Sequence, residues 1–387
     1  MPRLELPDFA LEVYFSRWEF TATHNLSASD AETLTVGELL ALGDRGEADA
    51  LRDLPLNYTP TWGTDALRRA IADTYERIEP ADVLVFAGAQ ESLFWSMQLL
   101  LEPGDHAVVT VPNYQAFESV PLATGATVDG LPLWEDSGGG LRWSFDLDRL
   151  RSLLRPETRL VAVNFPNNPT GFVPDRTTWL AFVELCDERG IRVISDEVYR
   201  GIERDPDRTL PQAADLSERA LSINVLSKAY GLPGLRIGWV ASRDREALAR
   251  LERGKHYTSI SQPGPSELLA ALALRHRDTI LSRNRELVRT NAELVEAFAG
   301  EHGELFDYTS PDGGCVTFPR YLGADGVEEF CRRAVEDAGV FLVPASIFRS
   351  DLATVPDDRF RIGIGRRQVP GGLDRLRTHI ADRLPHR

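Results

Sequence analysis

Lys228 is placed where a lysine can form a covalent bond with a carbonyl group. It follows the largely apolar segment 221–226 and precedes a turn rich in glycine and proline, with Arg236 eight residues further along. A lysine at the end of a predicted strand is poorly solvated, which favours its neutral amine and suits imine formation. An isolated lysine at such a junction is usually an ordinary surface residue. The chemical interpretation therefore depends on the polar residues that accompany it.

Polar residues also follow two apolar segments upstream. Asp196 and Tyr199 come after the segment 191–195, and Asn168 lies in the turn 164–171. The carboxyl ends of parallel strands form the crevice in which α/β proteins bind ligands, and a carboxylate there can hold a cation. Taken alone, Asp196 is equally compatible with helix capping, and Asn168 with a tight turn.

A third group of residues is suited to binding a phosphate. Gly88, Ala89 and Gln90 open a predicted helix after an apolar strand, and small residues at such a position expose backbone N–H groups. Arg236 can bind a phosphate through two parallel N–H groups, and the hydroxyl of Ser227 can add a hydrogen bond. Many strand–helix turns resemble the segment 88–90, so this segment indicates a phosphate site only together with Ser227 and Arg236.

An aromatic residue and an arginine complete the candidate site. Tyr114 follows another predicted strand and can cover a flat ring, although an aromatic at the core edge is an equally good explanation. Arg361, on a predicted strand, can clamp a carboxylate through its planar fork. Arg359, Arg366 and Arg367 are nearby rivals for that role.

Together these residues supply what pyridoxal phosphate chemistry requires. That chemistry needs a lysine for the imine, an acid that keeps the pyridine nitrogen protonated and donors at the ring oxygen. It also needs an aromatic plate over the ring and a phosphate cup. The three cysteines, by contrast, lack the spacing of a metal site, and no metal is expected.

The same segments resemble the fold-type I, class I and II aminotransferase family. The resemblance covers roughly residues 58–365 and rests on three motifs: Asn-Pro-Thr-Gly at 168–171, Asp-x-x-Tyr at 196–199 and Ser-Lys…Gly-x-Arg-x-Gly at 227–238. It implies pyridoxal 5′-phosphate as the cofactor, an amino acid as substrate, a keto acid as a possible co-substrate, and a homodimer with shared active sites.

The resemblance also implies a role for each matching residue. Lys228 would form the Schiff base and act as the catalytic base, with Asp196 and Tyr199 as its catalytic partners. Asp196 would bind the pyridinium nitrogen, Asn168 and Tyr199 would contact the ring oxygen, and Tyr114 would stack on the ring. The phosphate would be bound by Gly88, Ala89, Gln90, Ser227, Arg236 and, from the neighbouring subunit, Tyr58. Arg361 with Asn168 would bind the substrate carboxylate.

The N-terminal region departs from the usual family pattern. The glycine-containing substrate loop is missing, and the block 24–42 is similar to the N-terminal region of capreomycidine synthases, which cyclise a hydroxylated arginine. On that similarity Ser27 and Ser29 line the substrate entrance, and Asp30 or Glu32 could meet a guanidinium group. A solvated helix cap is the alternative explanation of this acidic loop. Val225 also replaces a residue that is serine or threonine in many relatives.

Hydrophobic periodicity predicts an α/β fold: a mainly parallel sheet of the seven-stranded type flanked by helices, with a smaller α+β domain. We expect an N-terminal segment at 1–50, a large cofactor-binding domain at 51–270 and a small C-terminal domain at 271–387. The predicted strands of the large domain are 83–86, 106–111, 160–165, 192–195, 221–226 and 237–241. The turn 137–140 lacks the context of a nucleotide-binding loop.

Composition narrows the partners. The 387 residues carry a formal charge of −16, which argues against nucleic acid and anionic membranes. Neither a secretory signal nor a membrane-length apolar run is evident, so a cytoplasmic location is expected.

The predicted function is transamination of an amino acid. Cyclisation or elimination on an arginine derivative and a histidinol-phosphate-type reaction are the alternatives within the enzyme class. A non-catalytic effector-binding domain is disfavoured because no DNA-binding module precedes the fold. A nicotinamide dehydrogenase is disfavoured because the glycine fingerprint is absent.

Overall fold

The computed structural model describes residues 5–136 and 141–382. The predicted turn 137–140 therefore lies outside the described residues. The strands are β1 (His24–Asn25), β2 (Val83–Phe86), β3 (His106–Val111), β4 (Thr127–Pro132), β5 (Trp134–Asp136), β6 (Leu141–Trp143), β7 (Thr158–Asn164), β8 (Arg192–Asp196), β9 (Ala220–Val225), β10 (Gly238–Ala241), β11 (Phe306–Asp307), β12 (Val316–Thr317), β13 (Arg320–Tyr321), β14 (Val340–Phe341), β15 (Val343–Pro344) and β16 (Phe360–Gly363).

Helices account for most of the remaining regular structure. They are α1 (Ala10–Trp18), α2 (Val36–Leu40), α3 (Arg45–Arg52), α4 (Asp65–Ala72), α5 (Ala89–Leu100), α6 (Ala116–Leu122), α7 (Leu147–Leu153), α8 (Arg176–Glu188), α9 (Ala213–Leu216), α10 (Arg245–Lys255), α11 (Gly264–Arg275), α12 (Arg277–Glu301), α13 (Val327–Ala338) and α14 (Val369–Ala381). The predicted long helix at 266–299 is thus two helices, which meet at His276.

Seven strands form the central sheet, in the order β2-β10-β9-β8-β7-β3-β4. The pairs from β9 to β4 are parallel, whereas β10 runs antiparallel to both of its neighbours. Because parallel strands point the same way, the residues that follow β7, β8 and β9 emerge at one edge of the sheet.

Helices cover both faces of this sheet, which explains why its strands are continuously apolar. Alternate residues of a strand point to opposite faces. In β3, Val109 packs in a cluster that includes residues of α5, and its neighbour Val108 packs in a cluster that includes residues of α8. Both side chains are fully buried.

A smaller α+β unit is built from the C-terminal elements. Strand β16 lies between β12 and β15, antiparallel to both. The N-terminal strand β1 pairs in parallel with β14, so the first residues join this unit. Domain boundaries at residues 50 and 270 stay a prediction.

Candidate active site

A cavity of about 830 Å³ opens at the carboxyl edge of the central sheet. This volume is within the usual range for small-molecule sites. Most of the residues predicted from the sequence line it: Ser29, Ala89, Gln90, Tyr114, Asn168, Asp196, Tyr199, Ser227, Lys228, Arg236 and Arg361. The fold therefore brings together motifs that are as much as 332 residues apart, from Ser29 to Arg361.

Lys228 lies three residues beyond the end of β9. Burial lowers the pKa of its amine, and the neighbouring Asp30 partly opposes this effect. The Nζ atom donates a hydrogen bond to Oγ of Ser29 at 2.8 Å. A lysine with a lowered pKa holds more of its neutral form near pH 7, and this is the form that can act as nucleophile or base.

Asp196 is the last residue of β8 and is buried, with 5% of its surface exposed. Burial raises the pKa of its carboxyl to about 7, although a hydrogen bond from the backbone N–H of Val198 and the charge of Lys228 act in the opposite direction. A carboxylate that is this poorly compensated gains from a cationic partner, such as a protonated pyridine ring.

The ring-oxygen candidates lie on the elements that flank Asp196. Tyr199 is buried, which raises the pKa of its hydroxyl, and a hydrogen bond with Ser29 opposes the rise. Asn168 is held in place because its backbone N–H donates to Oδ1 of Asn164, the last residue of β7, at 2.8 Å.

Tyr114 is half-buried and packs against Phe9, with ring centroids 4.9 Å apart. Its hydroxyl lies 3.5 Å from Oε1 of Glu12. The tyrosine therefore lies where the N-terminal helix meets the large domain, and it lines the cavity.

The predicted phosphate cup is supported by the close approach of the Arg236 side chain to the backbone at Gly88. Gly88 has a φ of +95°, and a Cβ atom at this position would lie 2.7 Å from Nη2 of Arg236. Arg236 itself has a left-handed conformation, and its Nη2 donates to the carbonyl of Ala87 at 3.2 Å. The buried Oγ of Ser227 has no hydrogen-bond partner among the described residues.

Arg361, in β16, is fully buried. Its Nη1 donates to Oδ1 of Asn168 at 3.1 Å, and its Nη2 donates to the carbonyl of Ser27 at 2.8 Å. The ring centroids of Phe15 and Phe348 lie 5.7 and 5.5 Å from the guanidinium carbon of Arg361. Within the described part of the chain the buried Nε has no partner, and the two hydrogen bonds given use only two of the five N–H donors of the guanidinium.

Ser27 and Asp30 of the N-terminal block make contacts other than those expected, and the role of Tyr58 at a neighbouring subunit stays a prediction. The side chain of Ser27 does not line the cavity; it is fully buried and donates to Oδ1 of Asn25 at 2.6 Å. Asp30 does meet a guanidinium group, but that group belongs to Arg366, at 2.6 Å. Tyr58 lies on the surface, 87% exposed.

Glu32 likewise lines the cavity but is engaged, since its Oε2 accepts from the backbone N–H of Arg367 at 2.7 Å. The residues that line the cavity without having been predicted from the sequence include Glu12, Phe15 and Glu19, which are carried by α1 or follow it directly. A helical spacing of three and four residues between them was the signal that could have grouped them.

The residues present fit pyridoxal 5′-phosphate. The site combines a carboxylate that lacks a cation, a lysine with a lowered pKa and a glycine that leaves room for Arg236. The unpartnered hydroxyl of Ser227 and Nε of Arg361 are further donors available to a ligand.

A sequence model of the family Aminotransferase class I and II matches residues 25–375. The chain belongs to this family. Its cofactor is therefore pyridoxal 5′-phosphate, and it is an enzyme of the transferase or related cyclase kind, as the motifs predicted. The predicted fold class is also confirmed, because the solved structures of this fold share the seven-stranded sheet architecture.

Individual relatives span nearly the whole chain. Capreomycidine synthase from Streptomyces vinaceus is 32% identical over 98% of this chain and 96% of its own length. A PLP-dependent aminotransferase from Streptococcus suis superposes with a TM-score of 0.90 at 31% identity, covering 99% of this chain and 100% of that one. The PLP-dependent cyclase OrfR gives a TM-score of 0.86 at 29% identity, with 99% of each chain covered.

Within residues 5–136 and 141–382, no helix is long and apolar enough to span a membrane.

Proposed function

We propose that the enzyme removes the α-proton of an amino acid with Lys228 as the base, and that transfer of the amino group to a keto acid is the reaction it performs. The observation that carries this proposal is the placement of Lys228, Asp196 and Arg361 around one cavity. Bound pyridoxal phosphate supplies a ring that withdraws electrons from the substrate α-carbon.

The chain's own residues position the substrate and move its proton. Arg361 binds the α-carboxylate, since it is rigidly held by Asn168 and the carbonyl of Ser27 and retains a free donor. Asp196 keeps a positive charge on the ring nitrogen. The neutral amine of Lys228 would accept the α-proton of the bound substrate, and the hydroxyl of Ser29, which accepts a hydrogen bond from Nζ, would orient it.

A second candidate function is cyclisation of a hydroxylated arginine. The specific observation in its favour is that the match to capreomycidine synthase spans 98% of the chain and so includes the N-terminal block. In that reaction the α-proton and the hydroxyl group leave the substrate as water. A guanidine nitrogen then bonds to the carbon that lost the hydroxyl and gives up one proton, and one proton is added at the α-carbon, so the net change is the loss of one water.

Product analysis separates the two reactions. The holoenzyme is incubated with arginine, hydroxyarginines and common amino acids, each with and without pyruvate, and products are identified by mass spectrometry. Amino transfer converts the keto acid into a new amino acid. Cyclisation gives a product lighter by one water and leaves the keto acid untouched. Absence of any α-proton exchange with heavy water for every substrate would refute the role proposed for Lys228.

We further propose a homodimer in which Tyr58 reaches the phosphate site of the partner. The high exposure of Tyr58 supports this arrangement, because a large aromatic side chain on the surface suits an interface. Sedimentation velocity measures the oligomeric state. Tyr58→Phe should weaken cofactor binding without changing the dimer, and an unchanged cofactor affinity would contradict the shared site.

A further inference from the structure

Two carboxylates of the N-terminal helical segment line the cavity. Glu12 lies in α1 and Glu19 immediately follows that helix. Among the described residues neither makes an ion pair, and the contact of Glu12 with the hydroxyl of Tyr114 is long, at 3.5 Å. Burial raises the pKa of Glu19, and the charge of Glu12 adds to the rise.

Asp196 is assigned to the cofactor ring, and the other two acids at the cavity, Asp30 and Glu32, already have partners within the chain. Asp30 is bound to Arg366 through two hydrogen bonds of 3.0 and 2.6 Å, and Glu32 accepts from the backbone of Arg367. The guanidinium of an external ligand would have to displace Arg366 to reach Asp30. Glu12 and Glu19 are therefore the carboxylates that stay available to a ligand.

Glu12 and Glu19 lie on either side of Phe15, which packs against Arg361, the residue predicted to bind the substrate carboxylate. Glu12, Phe15 and Glu19 follow one another at spacings of three and four, which places them on one face of the helical segment. Phe15 lies 5.7 Å from the guanidinium carbon of Arg361. One helical turn advances about 5.4 Å along the axis, so each carboxylate lies about one turn from Phe15.

An independent feature of the same cavity indicates a ligand. Arg361 is fully buried, and its Nε has no hydrogen-bond partner within the described residues. A buried donor without a partner is costly unless a ligand satisfies it. One ligand with a carboxylate for Arg361 and a positive group for the acids would satisfy both ends of the cavity.

We propose that Glu12 and Glu19 form a subsite for a second positive charge on the substrate, of the guanidinium class. The subsite deepens the proposed function and rests on it, because the substrate must first be held at Lys228 and Arg361. It replaces Asp30 and Glu32 as the residues that select an arginine-derived substrate. Two carboxylates suit a guanidinium, whose several N–H donors can be shared between them.

The test compares arginine with citrulline, its neutral counterpart of nearly the same shape. Binding to the holoenzyme is followed by the visible spectrum, and binding to the borohydride-reduced holoenzyme, which cannot turn over, is followed by calorimetry. The wild type should prefer arginine by about ten- to a hundredfold, the range expected for charge-assisted hydrogen bonds. The variant Glu12→Gln/Glu19→Gln should reduce this preference to about threefold or less and leave citrulline affinity unchanged.

The control variant is Glu296→Gln, which removes one exposed carboxylate on α12, away from the cavity. It should keep the full preference for arginine. Glu12 is exposed, so Glu12→Gln alone still tests the subsite if the double variant does not fold. The binding of arginine and citrulline to Glu12→Gln and to Glu296→Gln is measured under the same conditions as for the wild type.

Two negative outcomes are distinguishable. If both ligands alter the spectrum but the double variant keeps the wild-type preference, or the wild type has none, the subsite is refuted and the proposed function stands. If neither ligand nor any other amino acid alters the spectrum, the proposed function fails, and the subsite fails with it.

Discussion

The clamp formed by Arg361 can be tested by changing the shape of its side chain while keeping its charge. Burial lowers the pKa of this arginine to about 10, so it remains protonated at neutral pH. Arg361→Lys also stays cationic but lacks the planar fork that reaches Asn168 and the carbonyl of Ser27. The loss of one charge-assisted hydrogen bond to a ligand carboxylate costs about 1.5–3 kcal/mol. Affinity for an α-amino acid should therefore fall about ten- to 150-fold.

The assay uses arginine and agmatine, which differ by the α-carboxylate. Dissociation constants are measured by spectral titration of the wild-type and Arg361→Lys holoenzymes. Binding of arginine should weaken as stated, while binding of agmatine should change by less than about threefold, because it offers no carboxylate to the clamp. Cofactor content and melting temperature verify that the variant is folded. Equal losses for the two ligands would show that Arg361 is only structural, and the reasoning would be wrong.

Three further variants test the cofactor site. After borohydride reduction and denaturation, wild-type protein should retain the cofactor mass and Lys228→Ala should not; a labelled lysine elsewhere would contradict the assignment. Burial raises the pKa of Asp196 from 3.8 to about 7, so the folded protein binds this proton more tightly than the unfolded chain does. The folded apoprotein therefore loses stability as the pH rises, by about 4 kcal/mol at pH 8. Asp196→Asn should therefore stabilise the apoprotein in urea at pH 8 and much less at pH 5, and a pH-independent gain would exclude this cause. Gly88→Ala should weaken cofactor binding about tenfold or more, by crowding Arg236 at a positive φ; unchanged affinity in a titration would argue against the phosphate cup.

Local sequence patterns were sufficient to predict most of the cofactor site. Lys228, Asp196 and Asn168 each follow a short apolar segment, and parallel strands necessarily bring such positions to one edge. The strand β4 was missed for a physical reason. It pairs with β3 alone at the edge of the sheet, so polar Asp129 and the exposed Thr127 interrupt its apolar pattern.

Contacts between distant segments could not be predicted in the same way. The partner of Asp30 is Arg366, 336 residues away, whereas the sequence analysis named Arg366 only as a rival of Arg361 for binding a carboxylate. The difference between Ser27 and Ser29 is more local. Hydrogen bonds to Oδ1 of Asn25 turn the Ser27 side chain away from the cavity, and a residue-type pattern does not reveal that direction.

The geometry separates the residues that activate the α-carbon from those that could select the outcome. Amino transfer and cyclisation both require a base, a carboxylate at the ring nitrogen and a carboxylate clamp, and we propose Lys228, Asp196 and Arg361 for these roles. The two reactions diverge only in where the proton and the leaving group go after the α-proton is removed. In this chain the hydroxyl of Ser29 lies against Nζ of Lys228, in a segment where the usual family loop carries a glycine. We therefore predict that the N-terminal segment influences the choice between the reactions. Exchange of that segment between relatives should then change the ratio of amino transfer to cyclisation, measured by mass spectrometry of the products.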